Sequence, residues 1–256
     1  MTLLRPKSLC SFAIVLLICV TAAAQTPDEI VDKYIGARGG ISRLNSIRAV
    51  RVTGTVVGPG GKQWQLTDEF KHPGKFRTER RSDGIGYGRI LDGNRGWEYV
   101  LPCGMAQPLS GAVLENLKEN VDFVGPLADY KLKGHRIELL GKEEDPHWGS
   151  FYKLKLTMAN GTVREELVDT HSFLVTGMRR ISDNGVVTDV KYSDWREVTG
   201  VKFAYRVESR TRGATSTLEV AKYEVNVPID DSRFTPPDPA PGPGDDNPKE
   251  CWPSNP

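Results

Sequence analysis

The stretch from Ser172 to Val225 constrains the fold most, because it reads as four consecutive β-strands joined by short turns. Asp183–Gly185, Thr199-Gly200 and Arg212-Gly213 supply residues that tolerate the positive φ angles of tight hairpins. Between the turns apolar and polar residues alternate, as in Val201–Glu208. This period of two gives each strand one apolar face and one solvated face. The stretch therefore predicts an antiparallel meander with a single buried side.

The same strand pattern fills most of the preceding chain. It predicts about eleven or twelve strands in all, in a first series of five and a second series of seven. The further predicted strands are Ala49–Val57, Gln63–Phe70, Lys75–Arg81, Gly84–Leu91, Arg95–Leu101, His135–Lys142, Ser150–Met158 and Thr162–Asp169. Cys103–Ser110, which directly follows Pro102 and contains Pro108, is predicted to be a loop.

Helical signals are few. Thr26 is a candidate N-cap, Pro27 fits the first helical position, and Gly39-Gly40 is a stop signal. A short second helix, Ile41–Ile47, is expected to follow. Apolar residues recur at helical spacing through Leu109–Phe123, which predicts a third helix between the two series of strands.

A long antiparallel sheet with one apolar face must pack on another sheet, close on itself or receive helices. The sequence offers one pair of helices at the start and one helix in the middle. We therefore predict an α+β fold, in which a strongly curved sheet of about eleven strands forms an incomplete, unclosed β-barrel. The helices plug its concave face, and the interior of such a barrel is a natural place for a ligand cavity.

The first 24 residues are typical of a secretory signal peptide. Arg5 and Lys7 are basic, Leu9–Val20 is apolar and uncharged, and Ala22–Ala24 offers small residues for cleavage before Gln25. We therefore expect an exported, periplasmic protein, and association with the outer membrane stays open.

The mature chain divides into two parts. Residues 25–236 form the predicted folded domain, and residues 237–256 form a proline-rich tail that is expected to be disordered. Cys103 and Cys251 remain after signal cleavage, and two cysteines in an exported protein suggest a disulfide. Two free thiols, or a bond between two molecules, are the alternatives.

Charge and motifs exclude several classes of function. Of 34 basic residues, two lie in the signal, which leaves 32 against 33 acidic residues, so a nucleic-acid partner is not expected. The histidines show no metal-ligand spacing and Gly-x-Ser-x-Gly is absent, so we expect no metal, no cofactor and no catalytic residues. The four histidines are His72, His135, His147 and His171. The expectation is a protein that is not an enzyme.

Three stretches resemble the LolA/LolB superfamily of outer-membrane lipoprotein-sorting proteins. Lys71–Arg77 matches a basic-basic-Pro-x-x-aromatic-Arg segment, Asp92–Trp97 matches an Asp-Gly-x-x-x-Trp hairpin, and Tyr192–Phe203 matches a late hairpin of the family. The order of helices and strands agrees over about Pro27 to Pro236. The resemblance implies a half-barrel that shields acyl chains between two membranes.

Two positions depart from the family pattern. His72 stands where carriers often have Arg, and Ala204 stands where members often have Pro. The first departure leaves the identity of the cargo open.

We therefore hypothesise a cell-envelope binding protein that holds a lipid or the acyl chains of a lipoprotein, and we expect a monomer. The alternative is an envelope sensor or scaffold module that docks a protein partner without transport. The candidate cavity residues are Trp64, Phe76, Trp97, Tyr99, Leu117 and Val121. An ordinary packed core would contain the same residue types, so the sequence does not distinguish a filled barrel from an open one.

Overall fold

The structure is a computed structural model, which describes residues 25–237 except for positions 103, 120 and 183. In this part the chain forms one antiparallel sheet of thirteen strands and three α-helices. The helices are α1 Pro27–Arg38, α2 Ile41–Asn45 and α3 Gly111–Glu119. The predicted α+β class and the open, curved sheet are confirmed.

The described strands include one that the sequence pattern did not predict, which is β6 (Met105–Pro108). They are β1 Ala49–Val57, β2 Gln63–Lys71, β3 Lys75–Ser82, β4 Ile85–Asp92, β5 Arg95–Leu101, β6 Met105–Pro108, β7 Arg136–Asp145, β8 Gly149–Thr157, β9 Val163–Asp169, β10 Val175–Ile181, β11 Val187–Val198, β12 Val201–Thr211 and β13 Ala214–Val225. Half of the predicted loop Cys103–Ser110 is therefore strand β6. The third helix begins at Gly111 and ends at Glu119, so it is shorter than the predicted Leu109–Phe123.

The strand order explains why the barrel stays open. It runs β6-β5-β4-β3-β2-β1-β13-β12-β11-β10-β9-β8-β7, so the first and last strands of the chain pair in the middle. β6 and β7 form the two edges, although they follow each other in the chain. The connection between them, residues 109–135, contains α3 and is called the crossover segment below.

The two faces of the sheet are separated residue by residue. Leu91 packs with Phe76 and with Leu117 of α3, whereas its neighbour Ile90 packs with Tyr99 on the opposite face. Successive side chains of a strand point to opposite faces. We call the face that carries the helices the inner face and the other the outer face.

The inner face buries two apolar clusters. Leu44 of α2 packs with Val50 and Phe203 of the central strands, and Ile30 of α1 packs with Leu154 in the second half of the sheet. These side chains are at most 3% exposed, and each contributes about 1.5–3 kcal/mol through burial. The first two helices thereby join both halves of the sheet to one core.

α1 begins and ends as the sequence predicts. Thr26 accepts a hydrogen bond from the Glu29 amide at 3.2 Å, and Glu29 accepts one from the Thr26 amide at 2.9 Å. This reciprocal pair is a capping box. At the other end Gly39 has φ +122°, and a Cβ there would lie 2.1 Å from the carbonyl oxygen of Gly200. Only glycine fits this contact between the helix and the β11–β12 turn.

Part of the outer face is covered by the residues that follow β13. Residues 226–235, called the strap, place Ile229 and Phe234 over Ile90 and Tyr99, and Phe234 is fully buried. Arg233 of the strap also pairs with Glu69, with 2.9 Å between Nε and Oε2. The part of the first half of the sheet that lies under the strap is therefore buried on both faces.

Candidate functional site

Aromatic side chains form one continuous cluster on the inner face. Neighbouring ring centroids along the cluster are 4.7 to 5.4 Å apart, within the range preferred by aromatic pairs. Its members are Phe70, Phe76, Phe123, Phe203, Tyr205 and Tyr223. Five of them project from strands near the centre of the sheet, so the cluster forms an apolar floor.

Phe123 is the member that does not come from a strand. It belongs to the crossover segment and lies between Phe70 of β2, at 4.9 Å, and Phe203 of β12, at 5.4 Å. Because β2 and β12 belong to the two series of strands, this one side chain bridges both halves. The crossover segment therefore covers part of the aromatic floor.

Polar contacts fix the crossover segment to α1 and within itself. Asp28 in the first turn of α1 accepts hydrogen bonds from Tyr130 and, at 2.7 Å, from Lys131. Lys133 Nζ donates to Asp122 at 2.7 Å and to the Gly125 carbonyl at 2.8 Å. These bonds hold residues 122–133 as an irregular but ordered cover.

α3 is attached to the second half of the sheet by a polar contact. The Glu119 side chain is 8% exposed and accepts hydrogen bonds from Asn160 at 3.0 Å, Thr162 at 2.8 Å and Arg180 at 3.3 Å. Arg180 also donates to Asn116 at 2.9 Å. We call this group the latch.

The opposite side of α3 is apolar. Leu117 is 4% exposed and packs against Phe76 and Leu91 in the first half of the sheet. α3 therefore spans the inner face, with apolar contacts on one side and the latch on the other.

A hollow of about 330 Å³ opens where the crossover segment meets the ends of β1 and β2. Its floor is apolar and includes Val50, Phe70, Val121 and Phe123. This volume is within the range of small-molecule sites, which are mostly apolar with a few polar groups. Of the hollows described, this one has the aromatic floor as its base.

The rim of the hollow is mainly basic. Arg48, Lys71, His72 and Lys118 line it, against one acid, Asp122. Asp122 is already neutralised by Lys133, as described above. An anionic group would therefore meet less repulsion at this rim than a cationic group.

Two acids lie elsewhere on the inner face. Burial raises the pKa of the Asp68 carboxyl to about 6, although a hydrogen bond from Thr78 and the charge of Arg80 lower it in part. Burial likewise raises the pKa of Glu166, which Arg164 contacts at 2.7 Å. An acid that is costly to ionise marks an interior of low polarity.

The structure brings three of the predicted cavity residues together. Phe76 and Leu117 share one cluster, and Val121 packs against it and lines the hollow. Trp64 lies on the same face near the other end of β2, about 20 Å from Phe70 for a strand of this rise. It is half-buried beneath Lys62, whose Nζ is 4.4 Å from the ring centroid.

The other two predicted residues, Trp97 and Tyr99, lie on the outer face. Tyr99 is fully buried beneath the strap and donates a hydrogen bond to Glu79 at 2.7 Å. They therefore do not share a cavity with Phe76 and Leu117. Alternation along β5 predicts which residues share a face, but not which face the helices cover.

The sequence pattern did not single out Phe70, Phe123 or Arg48 as site residues. Phe70 was recognisable as an apolar position of β2, and Phe123 as the last residue of the predicted helix. Nothing in the sequence distinguished Arg48 from other surface cations, because only the fold places it beside the hollow.

Some predictions fall outside the described residues. These are the signal peptide at 1–24, the tail from 238 onward, and both Cys103 and Cys251. The disulfide between the two cysteines stays a prediction.

Sequence comparison places the chain in no family, since no family model matches it and no curated protein sequence matches it significantly. Solved structures, in contrast, match over most of the chain. Its fold is similar to that of the LolA-like half-barrels, which confirms the fold that the sequence resemblance implies.

Three solved structures give the measure of this similarity. A DUF1329 family protein from Desulfovibrio piger has a TM-score of 0.61 at 13% identity, over 81% of this chain and 96% of that one. A LolA superfamily protein from Nitrosomonas europaea has a TM-score of 0.57 at 17% identity, over 83% of this chain and 98% of that one. A putative outer membrane lipoprotein-sorting protein domain from Vibrio parahaemolyticus has a TM-score of 0.56 at 11% identity, over 80% of this chain and 94% of that one.

Within residues 25–102, 104–119, 121–182 and 184–237, no helix is both long and apolar enough to span a membrane.

Proposed function

We propose that this chain is a cell-envelope binding protein that holds a lipid, or the acyl chains of a lipoprotein, on the inner face of its half-barrel. The observation that carries the proposal is the hollow over the aromatic floor, which the crossover segment covers only in part. The similarity of fold and the signal-like N-terminus support an envelope location.

The energetics favour an acyl chain as the occupant. Each methylene group moved from water into an apolar site contributes about 0.8 kcal/mol. The floor of Val50, Phe70, Val121 and Phe123 offers apolar contacts without specific hydrogen-bonding partners. Such a site selects for apolar length and tolerates variation in the attached group.

The hollow as it stands accommodates only part of a long chain. A longer ligand requires displacement of Phe123, because this ring occupies the space between β2 and β12. We therefore expect binding to move the part of the crossover segment between α3 and Gly125, while Leu127 and Ala128 remain buried in the core.

The test is binding of a neutral lipid probe whose fluorescence rises in apolar surroundings, with the full exported protein after delipidation. Val121→Asp places a charge in the hollow, and Val121→Trp fills it without a charge. Both should weaken binding about tenfold or more, which corresponds to about 1.4 kcal/mol. Leu140→Asp is the matched control, since Leu140 is 44% exposed and does not line the hollow.

Folding is measured in parallel by urea unfolding, so that lost binding is not confused with lost structure. A delipidated, folded protein that binds no probe would refute the proposal. Purification from the native host adds a second readout, because a carrier should release lipid or lipoprotein on extraction. A stoichiometric protein partner without lipid would favour the sensor or scaffold alternative.

A further inference from the structure

A second hollow lies next to the hollow over the aromatic floor. This second hollow of about 390 Å³ is lined by Asn226, Val227, Pro228 and Ile229 at the start of the strap. The two hollows share four lining residues, which are Arg48, Ala49, Lys71 and His72. These residues form a ridge between an apolar compartment on one side and a second compartment on the other.

Backbone pairing explains why the ridge residues lie side by side. The His72 amide donates to the Arg48 carbonyl at 2.8 Å, which continues the ladder between β1 and β2 by one step. The Arg48 amide donates to the Asn226 side chain at 2.7 Å. The ridge is therefore built on the ends of paired strands.

The cations of the ridge are available to a ligand. The Arg48 side chain is exposed and forms no ion pair among the residues that the structure describes. Lys71 pairs with Asp231, and Lys118 on the rim pairs with Glu115, but both acids are more than half exposed. Exposed pairs contribute little stability, so an incoming anion can replace those acids.

We infer that the occupant is an amphiphile with one anionic head, whose acyl chain lies in the apolar hollow and whose carboxylate or phosphate monoester contacts Arg48 and His72 on the ridge. This inference rests on the proposed function and specifies the class of ligand. Guanidinium groups suit both oxyanions, because they donate two parallel hydrogen bonds.

Competition against the neutral probe tests the head group. The competitors are a saturated fatty acid, its methyl ester and a monoacyl phosphate of equal chain length, with inorganic phosphate as a fourth. We expect the two anionic amphiphiles to bind about tenfold more tightly than the ester, the effect of one hydrogen bond to a charged group. Added salt should reduce this preference.

The double variant Arg48→Gln/His72→Gln should lose the preference for anions and keep the affinity of the ester. Arg136→Gln, an exposed cation on β7 that lines neither hollow, is the matched control and should keep the preference. If only the fatty acid binds more tightly than the ester, the head group of the ligand is a carboxylate. If only the monoacyl phosphate does so, the head group is a phosphate.

The outcomes separate the two proposals. Equal binding of ester and acid would overturn the inference about the head group and leave acyl binding intact. An unchanged preference in the double variant would overturn the assignment to the ridge. Inorganic phosphate that competes as well as the monoacyl phosphate would overturn the placement of the chain, and no binding of any amphiphile would refute the proposed function itself.

Discussion

Replacing Asp68 by Asn should stabilise the protein at neutral pH. Asp68 lies on the inner face, opposite Val52 of β1 and Thr78 of β3, and its Oδ1 atom is buried without a hydrogen-bond partner in the described structure. An ionised carboxylate at this position loses hydration that its neighbours restore only in part. Asparagine has nearly the same shape and carries no charge.

The magnitude follows from the pKa. Burial raises the pKa of Asp68 from 3.8 to about 6, a change of roughly two units, and one unit corresponds to 1.36 kcal/mol. The folded state therefore binds the proton more tightly than the unfolded state between pH 3.8 and 6. In this window the free energy of unfolding falls as the pH rises, by up to about 3 kcal/mol in total.

Urea unfolding of both proteins at pH 4 and at pH 7.5 measures this effect. The free energy of unfolding of Asp68→Asn should be close to that of the native chain at pH 4. At pH 7.5 it should be higher than that of the native chain by about 2–3 kcal/mol. Other titrating groups cancel, because each comparison is made at one pH. Glu197→Gln, at an exposed position of β11, serves as the control and should leave the pH dependence unchanged.

A difference between Asp68→Asn and the native chain that does not change from pH 4 to pH 7.5 would refute the reasoning. It would mean that the Asp68 carboxylate is hydrated in the folded state. The inner face beside Val52 would then be open to water, and the apolar character proposed for the half-barrel would not extend to this position.

Three further predictions concern the cover and the strap. Burial alone would raise the pKa of Glu79, but hydrogen bonds from Tyr99 and two arginines lower it to about 2. Glu79→Gln should therefore lower the free energy of unfolding, measured in urea, by about 3 kcal/mol at pH 7 and by little at pH 2. Phe234→Ala should lower the free energy of unfolding by about 3–5 kcal/mol in the same assay, because Phe234 is fully buried. Glu119→Gln should weaken the latch by about 1–3 kcal/mol and speed amide exchange at Val121 and Phe123 without changing exchange in α1; equal exchange in both proteins would contradict this role.

The sequence predicts the strands well where one face of the sheet is solvated. The meander from Val187 to Val225 is such a region, and its turns at Thr199-Gly200 and Arg212-Gly213 have the expected positive φ values. β4 and β5 are different, because the strap covers their outer face. There the period of two is still visible, but both sets of residues are buried in places, as Ile90 and Leu91 show.

Strand β6 escaped prediction for a local reason. Met105–Pro108 has four residues, includes a proline, and pairs with β5 alone. A proline is tolerated there because an edge strand need not donate every hydrogen bond. Such a strand is defined by its partner, and its own residues read as a loop.

The site was the least predictable part, because it depends on contacts between distant segments. Helical spacing extends from Leu109 to Phe123, yet the helix ends at Glu119, where the latch with Asn160, Thr162 and Arg180 takes up the last side chain. Beyond it the chain turns inward, and Phe123 reaches the aromatic floor. The local pattern gives no indication of this tertiary contact.

The topology connects the cover to the shape of the sheet. β6 and β7 are the two edges and also neighbours in the chain, so the crossover segment must span the opening that it covers. Movement of Phe123 and of α3 therefore alters both the access to the hollow and the restraint on the two edges. The pair formed by β1 and β13 has further restraints, because α2 packs on its inner face and β13 continues into the strap. Under the proposed function, a ligand would therefore open one side of the half-barrel, while the paired first and last strands would keep the ridge of Arg48 and His72 in place.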